Sequence, residues 1–61
     1  MSIRQVEEAA QNCRRNAEQL RQMAQNESNP NVQKLLLEAA HHLDVGLAEL
    51  EYIITESTVS I

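Results

Sequence analysis

One cysteine, one proline, one glycine and one Phe/Tyr/Trp residue, Tyr52, are all that the 61-residue sequence holds of those types. Each scarcity excludes something. Cys13 alone makes no internal disulfide, so a reduced, intracellular setting is expected. A single Tyr52 removes base stacking and aromatic-cage recognition. Little proline or glycine leaves few places where a helix must stop. No stretch reaches the roughly 18 consecutive apolar residues of a membrane span. Met1 to Glu8 lacks the apolar core of a secretory signal. A soluble, cytoplasmic protein is expected. The net charge of −4 is carried by the second half, where Glu38, Asp44, Glu49, Glu51 and Glu56 face only Lys34. Broad nucleic-acid binding is therefore disfavoured, since phosphate attraction needs a basic face.

Asn26-Glu27-Ser28-Asn29-Pro30-Asn31 is the one cluster of turn formers. Pro30 fits the first turn of a helix, and Ser28 or Asn29 can cap it. The spacing predicts helix 1 at about 3–25, a turn at 26–29, helix 2 at about 30–55 and a frayed tail at 56–61. The expected fold is all-α: one antiparallel helical hairpin, dimerising into a four-helix bundle.

Helix 1 carries a heptad seam of Ile3, Val6, Ala10, Cys13, Ala17, Leu20 and Ala24, with alanine in alternate layers. Helix 2 carries Leu36, Ala40, Leu43, Leu47, Leu50 and Ile54. Level packing about the turn pairs Leu20 with Leu36, Ala17 with Ala40, Cys13 with Leu43, Ala10 with Leu47, Val6 with Leu50 and Ile3 with Ile54. These residues form the expected hairpin core. Cys13 on that seam reads as a small hydrophobe.

Helix 2 has more apolar surface than one partner helix covers. Val32, Ala39, Gly46 and Ile53 border its seam, and Leu35, Leu37 and Val45 lie further round. Val32, Leu35, Leu37, Ala39, Gly46 and Ile53 are the candidate oligomer contacts. Gly46 inside a helix costs about 1 kcal/mol against alanine, which a close helix–helix contact would explain. A homo-oligomer follows, with the dimer favoured and a further protein partner allowed.

Candidate chemistry is sparse. Glu38-Ala39-Ala40-His41 is a Glu-x-x-His step of the kind that binds paired metals in bundle cores, and Glu8 could add a carboxylate. The spacing resembles the short ferritins packaged in encapsulin shells. These three residues project outward, however, whereas bundle sites point inward, so no cofactor is expected. His41 and His42 are neighbours about 100° apart and rarely share one metal. Arg14, Arg15 and Arg21 form a modest basic patch of the kind with which a helical-hairpin dimer such as Rop binds RNA, the likeness to Rop being of architecture only. Glu7, Glu8 and Glu18 dilute it, and pairs such as Arg4–Glu8 and Arg14–Glu18 at i,i+4 are the simpler reading. Arg14 could also meet Asp44 across the hairpin. No catalytic set is visible, and enzyme activity is not expected.

Leu20, Met23-Ala24, the polar turn Asn26 to Asn31, Leu35, Ala39-Ala40 and Leu50-Glu51 together resemble domain of unknown function 1657. That family comprises short proteins of spore-forming Firmicutes, and the resemblance runs from Val6 to about Glu51. His41-His42, Pro30 and the absence of an acidic, Pro- and Tyr-containing tail depart from the family pattern. The resemblance implies a cytosolic, sporulation-linked role and no particular activity.

Overall fold

The computed structural model describes residues 1–59. It contains two α-helices packed against each other, α1 (Ile3–Asn26) and α2 (Pro30–Val59). The described chain is a rod 50 Å long and 14 Å across, with a radius of gyration of 14.3 Å. A compact chain of this length would have about 10–11 Å. The all-α hairpin expected from the sequence is the fold found.

Local chemistry sets the helix ends. The Ser2 hydroxyl accepts from the Gln5 amide while the Gln5 side chain accepts from the Ser2 amide, closing a capping box. Asn29 caps α2, its side-chain oxygen accepting from the Asn31 and Val32 amides at 2.9 and 3.2 Å. The Glu27 carboxylate accepts from the Asn29 amide, and the Gln33 amide group donates to the Ala24 carbonyl. The end of α1 and the start of α2 are thereby tied to each other.

α2 continues through Val59, four residues past the expected end at Thr55. The hydroxyls of Thr55 and Ser57 donate to the carbonyls of Glu51 and Ile53, one turn back. Bonds of this kind let Ser and Thr stay in a helix with their polar atoms satisfied. The expectation of a frayed tail is thus corrected for 56–59, and 60–61 lie outside the described residues.

Val6, Ala10, Ala17, Ala24 and Ala40 are buried. Cys13, Leu20, Leu36, Leu43, Leu47, Leu50 and Ile54 are half-buried. Ile3, expected in the core, is 36% exposed. Among the described residues no large side chain is fully buried, so the seam is a close alanine contact rather than an enclosed core.

The register differs from level packing. Arg21 Nη1 reaches Asp44 Oδ2 and Arg14 Nη2 reaches Glu51 Oε2, each at 2.9 Å. Level packing would put each carboxylate about eight residues, roughly 12 Å, beyond the position opposite its arginine. Side chains lean toward the N-terminus of their own helix, so across an antiparallel pair they converge, but this covers only part of that distance. The helices are therefore staggered from the level register by up to about one turn. Glu27 in extended conformation (φ −87°, ψ 128°) carries the chain past the end of α1 before α2 begins. Ile3 is the first residue of α1, at the end of the hairpin away from the turn, where the seam opens to solvent.

Replacing Ala17 with Leu should force the helices apart and destabilise the hairpin by about 1–3 kcal/mol. Asn29→Ala should cost about 1 kcal/mol through loss of the cap. Thermal unfolding followed by circular dichroism at fixed protein concentration measures both.

Candidate functional site

Of the fourteen charged residues, Glu27 lies in the connection and the other thirteen lie in the helices. Winding each helix at about 100° per residue places all thirteen within one half of its helix's circumference. In α1 these are Arg4, Glu7, Glu8, Arg14, Arg15, Glu18 and Arg21. In α2 they are Lys34, Glu38, Asp44, Glu49, Glu51 and Glu56. Cross-strapping by Arg14–Glu51 and Arg21–Asp44 shows that the two charged halves lie on the same flank of the seam. The two uncharged halves share the opposite flank.

That opposite flank is apolar on α2, where Val32, Leu35, Ala39, Leu43, Gly46, Leu50 and Ile53 succeed one another along the helix. α1 adds Ala9, Cys13, Leu20 and Met23, with the amides Gln5, Asn12, Asn16 and Gln19 on the same half. Leu35 is 63% exposed and Met23 48%. Five of the six contacts expected from the sequence, Val32, Leu35, Ala39, Gly46 and Ile53, stand here. The sixth, Leu37, does not. It lies on the charged flank, in a shallow groove with Pro30, Gln33, Lys34, Glu38, His41 and His42, because it is about 100° from its neighbour Leu36 in the seam. Ala9, Asn16 and Met23 are not assigned to this flank by the sequence pattern, whereas Leu20 and Cys13 are placed by it on the α1 seam.

A Cβ built on Gly46 meets nothing within 4 Å. Nothing inside the hairpin therefore requires glycine at a position where it costs about 1 kcal/mol. The chain exposes 4783 Å², whereas a compact chain of its mass would expose about 4,000 Å². The excess, roughly 800 Å², goes with the elongated 50 Å × 14 Å shape, which leaves both flanks of the seam uncovered.

The remaining candidates are on the surface. Glu8 is paired with Arg4 at 3.5 Å. Glu38 and His41 lie in the groove on α2, and the His41 and His42 rings sit 6.2 Å apart at 49°. Among the described residues, no group of three or more His, Cys, Asp or Glu side chains is placed to hold a metal ion. Arg14 meets Glu51 rather than Asp44, because the stagger brings Asp44 to Arg21 instead. Two of the three arginines of the basic patch are thus neutralised, leaving Arg15 beside Glu18 on the outer face of α1.

No family model, curated protein or solved structure matches this chain. The flank geometry is thus the main guide to its role.

Arg21 and Asp44 are 41% and 43% exposed, so their coupling should be modest. A double-mutant cycle of Arg21→Ala and Asp44→Ala should give about 0.2–1 kcal/mol, falling as salt is raised.

Proposed function

We propose that this protein is a small helical-bundle interaction protein that works by self-association through its uncharged flank. The observation that carries the reading is the confinement of all helical charge to the opposite flank. Desolvating the uncharged flank strands no ionised group, which is the main penalty at an apolar contact. A second copy is the occupant that fits best. A 61-residue chain with no large side chain fully buried among the described residues lies near the lower limit for independent folding, and small folds of this kind gain stability from oligomerisation. Face-to-face packing of two such layers gives a four-helix bundle whose interior would hold Leu20, Leu43 and Leu50, half-buried in one hairpin.

This reading assigns the protein no reaction and no resident cofactor. Its non-enzymatic character follows from what the bundle is for: contact between chains. A cytoplasmic location is part of the same proposal, and no helix among the described residues is long and apolar enough to cross a membrane. A link to sporulation rests on the family resemblance alone.

Leu35→Glu places a carboxylate within the flank, at its most exposed leucine. It should weaken association by about 100-fold or more, because a buried, unpaired charge costs several kcal/mol. Glu38→Gln, on the other flank, should leave association unchanged. Light scattering over a wide dilution range reads both, and a wild-type chain that stays monomeric at all concentrations would refute the proposal. Chelator treatment should change neither mass nor helicity. A loss of mass or helicity on chelation would favour a metal held by Glu8, Glu38 and His41 instead.

A further inference from the structure

The seam of α1 repeats in heptads, at Ile3, Ala10, Ala17 and Ala24 and at Val6, Cys13 and Leu20. The same heptad carried on into α2 falls on Lys34, Glu38, His41, Val45 and Tyr52, among others, and these are exposed. The α2 residues that do face α1 are Leu36, Ala40, Leu43, Leu47, Leu50 and Ile54, all buried or half-buried. They lie two positions out of step with that heptad. Two positions are about 200° of rotation on a helix. Joined as one straight helix, α1 and α2 would therefore carry their seams on nearly opposite sides. The hairpin tolerates the mismatch because residues 27–29 are not helical and reset the rotation before α2 begins.

The connection resists straightening at several points. Pro30 has no amide hydrogen for the Asn26 carbonyl, four residues back, and its ring would clash with that carbonyl inside a continuous helix. Asn29, just before it, is steered away from helical backbone. The Asn29 side-chain oxygen accepts from the Asn31 and Val32 amides instead. The Gln33 side chain donates to the Ala24 carbonyl at 2.8 Å, although in a straight helix the two residues would be about 13 Å apart along the axis. We propose that this connection is a guard against open-ended exchange of helices between copies. In a straightened chain, a second copy would cover one seam on one side, and the other seam would face away, toward a third. A head-to-tail contact of this kind does not close on itself. Its product is a growing chain of copies rather than a swapped dimer. The surface involved is the seam, so the inference does not rest on association through the uncharged flank.

The test uses the full chain with Cys13→Ser as background and spin labels on Gln11→Cys and Glu49→Cys, both exposed positions. Labelled chains are diluted into unlabelled ones, so that only the distance within one chain is read. With the connection unaltered, the labels should lie within about 30 Å, as on two helices packed side by side. Ser28→Ala, Asn29→Ala and Pro30→Ala together make the connection helix-forming. That protein should keep its helicity and separate the labels by about 57 Å, the rise of the 38 residues between them. Its mass by light scattering should climb with concentration without a plateau. Removing Ser28 and Asn29, with Pro30→Ala, brings both seams into one heptad. The shortened chain should also be extended, with labels about 54 Å apart, but its mass should level off at a small fixed number of copies. An alanine variant that keeps the short separation overturns the proposal, because the connection is then not what holds the hairpin shut. One that is extended yet of fixed mass overturns it too, because the seams then need not be in step. Should the alanine variant lose its helicity, the shortened chain decides: a plateau in mass supports the proposal, and growth without limit refutes it.

Discussion

Alanine at Ala10, Ala17, Ala24 and Ala40 brings the two helices close together, and most of the molecule's behaviour follows from that contact. Short side chains let backbones approach, but each removes little more than a methyl group from water, about 0.8 kcal/mol apiece. The leucines of the seam sit at its edges and are covered on one side only. A hairpin built this way is well specified in direction and weakly supplied with buried surface. Its geometry favours a second layer.

Charge segregation decides where that second layer can go. The ion pairs Arg14–Glu51 and Arg21–Asp44 close one flank of the seam with solvated side chains. Each is worth little energetically, because all four groups are substantially exposed. Their effect is more spatial than energetic: they mark the staggered register and occupy the flank on which an apolar partner would meet stranded charge. The other flank offers no such obstacle. The same pairs draw Arg14 and Arg21 out of the basic patch, so the feature resembling an RNA-binding surface is largely spent inside the hairpin.

The groove on the charged flank, with Glu38, His41 and His42, is a different kind of surface. Its side chains point outward from a single helix, and helix 1 brings no third ligand to them. A bundle metal site draws ligands from several facing helices toward one interior point. The groove is therefore better described as the solvated outer side of α2 than as a coordination sphere.

The sequence by itself determined the all-α hairpin, its turn and the identity of both seams. Heptad spacing, a single Pro-containing turn and capping residues are local signals, legible without a structure. It also carried most of the uncharged flank, since Val32, Leu35, Ala39, Gly46 and Ile53 are visible as apolar excess on α2. Only the tertiary structure decided the stagger, the exposure of Ile3 and the partners of Arg14 and Arg21, whereas the separation of Leu37 from Val32, Leu35 and Ile53 was already in the helical spacing. Those depend on how far an extended Glu27 carries the chain before α2 begins, and on which flank long side chains reach across. Periodicity records which residues share a face of one helix; it holds no information on the axial offset between two helices or on which of their flanks coincide.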